Sequence, residues 1–279
     1  MATSDDSGKF KGNIGNLTYR IFNGIAIVQT RPGPKTVKQT VSTKASSVDF
    51  ALSSNRAKVL REILYPMIRG MHDNKMVNRL NAAVGDVIRS NMTLAPGYRD
   101  LEDGDLQFLD GFEFNRHSPF SKMLKAKLRL DQNYLEGIKI SLDAFDVKEA
   151  MTFPEMASGC TLRVLLSAVS LARNEYQYCG TAELDIPVNS EEVPEIEWSF
   201  LNGLPENCLF VASCSLEYYE DGLFDSVSLN HKHFNPVALI GLMKGRDFEV
   251  QDLLPEENSS NWNTWLPISG INGNKLRLG

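Results

Sequence analysis

The sequence predicts an α+β fold: an N-terminal β-hairpin, an αα-hairpin, then an antiparallel β-sandwich, immunoglobulin-like or related. Three observations carry this prediction. Asn23-Gly24 stands between two apolar, β-rich runs, Leu17 to Phe22 and Ile25 to Thr30. Asn-Gly is the strongest short hairpin signal because a type I′ turn needs positive φ at both central residues. Apolar residues then recur at helical spacing between Phe50 and Ile88. Beyond Ala95-Pro96-Gly97 the period falls to two, with a series of short runs separated by turn residues, the pattern of an antiparallel sandwich. The expected organisation is a basic hairpin and linker over residues 1–45, a helical hairpin over 46–94, and an acidic β-sandwich with a loop-like tail over 95–279.

In chain order, Met1 to Ser7 reads as a polar tail. Gly8 to Lys44 carries seven basic residues and no acidic one. Pro32-Gly33-Pro34 forces an extended or turning path after the hairpin. Ser46 or Ser47 is a candidate N-cap, with Asp49 behind it at the positive end of the helix dipole. The first helix carries Phe50, Ala57, Leu60, Ile63, Leu64, Met67 and Ile68 at helical spacing and ends near Arg69-Gly70. The second places Met76, Val77, Leu80, Ala83, Val84, Val87 and Ile88 on one face. Two such helices joined by about five residues form an αα-hairpin whose apolar faces seek a sheet or each other. Strands are then expected at Leu106 to Phe114, Lys125 to Leu130, Ile138 to Phe145, Cys160 to Ala172, Tyr176 to Val188, Glu195 to Phe200, Cys208 to Tyr219, Ser226 to Lys232 and Val237 to Met243. The pair around Arg173-Asn174-Glu175 is the expected central hairpin. Trp262 and Trp265 read as aromatic cover on the sandwich.

Several residues of the first stretch carry a resemblance. Gly12-Asn13-Ile14-Gly15-Asn16, Asn23-Gly24, Arg31-Pro32 and Phe50-Ala51-Leu52 make the chain resemble a family of Bacteroidota proteins built on a domain of unknown function. The shared features are a glycine-rich start, a short hairpin with a basic or Asn-Gly turn, an Arg-x-Pro type exit and a helix opening with phenylalanine. The resemblance covers the first 60–90 residues and, more weakly, the β region. It implies a bacterial protein with this module and no particular reaction, so no site residue is carried over from it.

Charge sharpens the functional reading. The net charge of -6 conceals a split. Residues 1–80 hold 13 Lys and Arg against 5 Asp and Glu, a net of +8, and the remainder holds 16 against 30, a net of -14. Such asymmetry marks either a basic surface for a polyanion or two ends that attract each other, within a molecule or between copies. No signal peptide is expected, since MATSDDSGKFKG is acidic where a basic region should stand. No 18-residue apolar stretch spans a membrane, and the expected location is the cytoplasm. Cys160, Cys179, Cys208 and Cys214 form no C-x-x-C pair and read as buried free thiols.

Catalytic signatures are not apparent. Gly12-x-x-Gly15 is followed by strand residues and no Gly-Lys-Ser/Thr occurs, so it fails as a phosphate loop. There is no G-x-S-x-G elbow and no H-E-x-x-H. His231 and His233, two apart on an expected strand, would face the same way, but the remaining ligands of a zinc site cannot be named. Asp100, Glu102, Asp103, Asp105 and Asp110 surround Gly104 without the spacing of a calcium loop. The expectation is no catalytic residue, no metal and no cofactor. The preferred function is a non-enzymatic structural or interaction protein, self-assembling or docking a protein partner through its basic N-terminal module. Its candidate partner-binding residues are Lys9, Lys11, Arg20, Arg31, Lys35 and Lys38. One alternative is nucleic-acid binding by the same cations, with Tyr19 and Phe22 interleaved. Another is a carbohydrate- or surface-binding sandwich using Trp262 and Trp265.

Overall fold

The computed structural model describes residues 2–4, 8, 10–22, 25–31, 39–133, 137–200, 208–245 and 265–268. The chain divides into two compact units, residues 1–44 and 45–279.

In the first unit the expected hairpin is the second half of a larger sheet. β1 (Ala2–Ser4), β2 (Phe10–Ile14), β3 (Leu17–Phe22) and β4 (Ile25–Thr30) form an antiparallel meander in that order. β3 and β4 pair from Leu17↔Thr30 to Phe22↔Ile25, so the register expected of the hairpin holds. The Asn23-Gly24 turn itself and Pro32-Gly33-Pro34 lie outside the described residues. A second tight turn joins β2 to β3 at Gly15-Asn16, between the paired Ile14 and Leu17. Gly15 sits there at φ 56°, a left-handed conformation that costs glycine little.

The helical segment begins earlier than expected. α1 runs Val41–Ile63, and the Thr40 hydroxyl accepts the Thr43 N–H at 3.1 Å. Thr40 therefore does the capping expected of Ser46 or Ser47. Asp49 is buried, and its Oδ1 accepts the Gly97 N–H at 2.8 Å. α2 (Tyr65–Ile68) is a short continuation, broken from α1 at Leu64 because Pro66 follows. It ends at Arg69 and Gly70, both at positive φ. α3 (Met76–Ser90) buries Met76, Leu80, Val84, Val87 and Ile88, as its periodicity predicts.

Leu106 to Phe114 departs from the expected strand. Leu106–Leu109 is a 3₁₀ turn, and the Asp105 carboxylate accepts the Gln107 N–H at 3.0 Å to cap it. Only Glu113 forms a bridge, with Ala238. α4 (Phe120–Met123) follows, then β5 (Leu128–Asn133), β6 (Gly137–Leu142), β7 (Phe145–Asp146) and α5 (Val147–Ala150). After these come β8 (Gly159–Ser170), β9 (Glu175–Pro187), β10 (Glu192–Val193) and β11 (Ile196–Phe200). β12 (Leu209–Asp221), β13 (Ser226–Ser228), β14 (Val237–Lys244) and β15 (Leu266–Pro267) complete the set.

The α+β class and antiparallel pairing are as predicted. The largest sheet has six strands, in the order β13-β12-β8-β9-β15. β14 also pairs with β12 along Leu209–Ser215, while β13 pairs with Tyr219–Asp221. β5, β6 and β11 form a three-stranded sheet, and β7 pairs with β10. Extra residues enter the β8–β9 ladder at Cys179 and the β12–β14 ladder at Ile240. Such bulges bend a strand and sharpen its twist.

The six-stranded sheet has two apolar faces. Leu165, Val169, Leu209, Val211 and Leu239 meet Leu60, Ile63, Leu64, Leu80, Val84 and Ile88 of the helices. Val164, Leu166, Ala168, Phe210 and Ala212 meet Ile138 and Ile140 of β6. Alternation along β8 and β12 produces this division, since successive side chains point to opposite faces. The small sheet curls toward both edges of the large one. Phe200 of β11 lies over Gly180 of β9, where a Cβ would stand 2.6 Å from its ring. Leu130 of β5 lies beside Gly241 of β14. The helical pair and the β-rich remainder thus share one core. No helix among the described residues is long and apolar enough to cross a membrane.

Candidate interaction site

The first unit places its sequence-predicted cations on a thin sheet. Cross-strand partners share a face, so the register sorts the side chains. Phe10, Ile14, Leu17, Tyr19, Ile21 and Val28 lie on one face; Lys11, Thr18, Arg20, Phe22, Ile25 and Ile27 lie on the other. Phe10 and Tyr19 touch edge to face, ring centres 5.9 Å apart. Phe10, Ile14, Leu17 and Val28 are nonetheless exposed, and on the opposite face Phe22 and Ile25 are 63% and 67% exposed. Lys11 and Arg20 are exposed beside them. Arg31 follows β4, its N–H donating to the Asn16 carbonyl at 2.6 Å. Lys9, Lys35 and Lys38 lie outside the described residues. The expected interleaving of Tyr19 with the cations is not found, because Tyr19 is on the face away from Arg20. Phe22 does share that face. β4 is an edge strand, Ile-Ala-Ile-Val-Gln-Thr, with no charge or proline in it.

In the second unit the helices cover only part of the large sheet. Beyond them the same face turns polar: Thr161 and Arg163 on β8, Glu183 and Asp185 on β9, Glu217 and Tyr219 on β12. Arg163 donates from Nε to Glu183 Oε1 at 2.8 Å and pairs through Nη1 with Glu217. Arg69, at the end of α2, reaches Glu217 at 3.4 Å. The Tyr219 hydroxyl donates to Asp185 Oδ1 at 2.9 Å, and burial followed by Asp185 pushes that phenol up to about 12. Thr161, Arg163, Asp185, Glu217, Tyr219, Asp221, Ser226 and Ser228 line an open cleft of about 410 Å³. The acids there outnumber the cations, and every charged group named has a protein partner.

The β12–β13 hairpin projects beside this cleft. Its tip is Gly222-Leu223-Phe224-Asp225, closed by the Gly222 N–H donating to the Asp225 carbonyl at 3.0 Å. The Asp221 N–H donates to Ser158 Oγ at 2.9 Å, and Ser226 Oγ donates to Asp221 Oδ1 at 2.8 Å. Leu223 and Phe224 are 96% and 94% exposed. A pinned backbone therefore holds two large apolar side chains in solvent.

Other sequence candidates resolve into structural parts. Asp100 and Asp103 form a capping box on the 3₁₀ turn Leu101–Asp103, and Asp100 pairs with Arg56. His231 and His233 lie on a tight turn, not a strand, closed by the His231↔Phe234 bridge. His231 Nδ1 accepts the His233 N–H at 3.2 Å, and His117 meets the His233 ring at 5.3 Å between centres. Among the described residues no group of three or more His, Cys, Asp or Glu is placed to hold a metal ion. All four cysteines are free thiols. Burial pushes all four up, Cys179 and Cys208 to about 12. Trp265 packs on the core with the Arg173 guanidinium 4.6 Å over its ring, while Trp262 lies outside the described residues.

Comparison with family models, with characterised proteins and with solved structures finds no match. The polar sheet face and the hairpin tip were not singled out from sequence. Residues 161, 163, 183, 185, 217 and 219 are brought together only by strand pairing. The tip does carry a local signal: an apolar Leu-Phe pair set inside the turn Gly222 to Asp225, where small polar residues are usual.

Proposed function

We propose that the chain is a non-enzymatic structural or interaction protein that self-associates through its basic N-terminal unit. One observation carries this reading: the four-stranded sheet shows large apolar side chains to solvent on both faces, Phe10, Ile14, Leu17 and Val28 on one and Phe22 and Ile25 on the other. Contiguous exposed apolar surface marks an interaction site. Fully covering a side chain of this size contributes about 1.5–3 kcal/mol. The edge of β4, uncharged and unpaired among the described residues, adds a second invitation, since exposed edges pair with other strands. The opposite net charges of residues 1–80 and 81–279 favour copies meeting over copies repelling. A cytoplasmic location belongs to the same reading and is supported by four reduced thiols. So does a sandwich-like second unit, supported by the small sheet lying on the apolar face of the large one.

The test is light scattering after size exclusion over a concentration series, at low and high salt, on the full chain and on an Ile25→Asp variant. Association that rises with concentration and is lost in the variant is the expected result. A strict monomer under every condition sinks the proposal.

A second reading is supported by Lys11, Arg20 and Phe22 standing on one exposed face: single-stranded nucleic acid stacked on Phe22 and paired with the cations. It requires retention on a polyanion column that falls steeply with salt. No retention at low salt removes it.

A further inference from the structure

We infer that the Leu223-Phe224 tip of one copy docks on the Arg20, Phe22 and Ile25 face of a second copy's N-terminal sheet, joining copies head to tail. This rests on the self-association reading above and names the surface that the N-terminal unit meets.

The argument is one of two complementary surfaces on a single chain. The tip is apolar at its end, Leu223 and Phe224, and acidic at its sides, Asp221 and Asp225. Behind it the cleft adds Asp185 and Glu217 against a single lining cation, Arg163. The receiving face is apolar at its end, Phe22 and Ile25, and basic beside them, Arg20 and Lys11. Apolar end against apolar end, with opposite charges around the contact, is the arrangement of an interface with a dry centre and a charged rim. The tip is also ordered before it binds. Gly222 makes the tight closure possible: a Cβ there would stand 2.8 Å from the Asp225 carbonyl. The hydrogen bonds of Asp221 and Ser226 hold the flanks, so little conformational freedom remains to be lost on docking. The flanking carboxylates disfavour the other common use of an exposed apolar tip, insertion among anionic lipids.

The two surfaces differ, so the contact is heterologous. Such contacts propagate into rings or open filaments and do not close as a simple dimer. This gives a signature that an isologous interface lacks. A Leu223→Ser/Phe224→Ser chain has no tip but keeps the receiving face. A Lys11→Glu/Arg20→Glu chain has no receiving charge but keeps the tip. Both sets of substitutions are on exposed residues, and circular dichroism is the check that each variant remains folded.

The experiment is sedimentation velocity at low salt on the full-length parent, on each variant alone, and on an equimolar mixture of the two. Each variant alone should associate at least tenfold more weakly than the parent, the loss common for truncating a central apolar anchor. The mixture should recover one contact per pair and form a heterodimer that grows no further. Adding Asp225→Lys to the Lys11→Glu/Arg20→Glu chain should restore part of the association by exchanging a charge while leaving the Ser226–Asp221 hydrogen bond in place. If the tip variant associates like the parent while the sheet variant does not, the tip is the wrong surface and the N-terminal reading stands. If the mixture recovers nothing, the contact is not head to tail. If the parent never associates, the reading and the inference fall together.

Discussion

Arg56→Met should cost the second unit about 3–5 kcal/mol, the usual penalty for stranding one member of a buried ion pair. Arg56 of α1 donates from Nε to Asp100 Oδ1 at 2.7 Å and from Nη2 to Oδ2 at 2.5 Å. The two side chains are 9% and 3% exposed. Asp100 Oδ1 also accepts the Leu101 N–H at 2.7 Å, and the Asp100 N–H donates to Asp103 Oδ2 at 2.8 Å. The pair therefore clamps the helix to a turn 44 residues later in the chain. Methionine keeps most of the volume and removes both donors, leaving a buried carboxylate held by its own turn. For a unit of this size each kcal/mol moves the melting temperature by about 2–4 °C, so the drop should be roughly 6–20 °C. Asp100→Asn should also destabilise. The double variant should be at least about 1 kcal/mol better than the sum of the singles, because the second change removes the stranded charge. Urea unfolding followed by far-ultraviolet circular dichroism gives all three values. A single variant within about 1 kcal/mol of the parent, or strict additivity, would show that the clamp does not hold the fold.

Three other expectations rest on the same structure. Burial, then Asp100 and Asp103, raises the Glu102 carboxyl above its usual range. Its ionised form is thus penalised in the fold, fully so above the folded value and not at all below the unfolded value of about 4.3. Glu102→Gln should therefore stabilise at neutral pH and make no difference under acid conditions; a gain that grows as pH falls would contradict the assignment. Gly104→Ala should destabilise by about 1–3 kcal/mol or more, since its Cβ would collide with the backbone carbonyl of Val87, and denaturant titration reads the loss directly. Native thiols should react slowly with a disulfide reagent near about pH 8, because burial holds Cys179 and Cys208 at about 12 and Cys160 and Cys214 higher still. Rapid, complete labelling without denaturant would be incompatible with that burial.

Helical and strand periods were legible wherever one face is buried along a whole element. Met76, Leu80, Val84, Val87 and Ile88 repeat at three and four, and all are buried in α3. Ile138, Ile140 and Leu142 repeat at two, and all are buried in β6. The misreadings occurred where two local solutions compete. Leu106 to Phe114 is short and apolar enough for a strand, but the Asp105 cap and buried Leu109 favour a 3₁₀ turn. Thr40, Ser42, Thr43, Ser46 and Ser47 are all competent caps, and the helix starts at the earliest of them because Ala45 and Asp49 are already buried. The basic surface was legible as charge, yet only Lys11, Arg20 and Arg31 of its six candidates lie among the described residues. Tyr19 was grouped with Arg20 although adjacent strand residues point to opposite faces.

The sequence by itself determined what depends on neighbours a few residues away: the periods, the hairpin signal, the glycine turns and the division of charge. Only the tertiary structure decided which faces are covered and which are not. Helices lie over Leu165 and Val169, while Thr161 and Tyr219 farther along the same face line an open cleft; Leu223 and Phe224, no less apolar than the core, are left in solvent. Burial is a sum over contacts between segments far apart in the chain, and a local pattern carries no information about which of two apolar runs another element will reach.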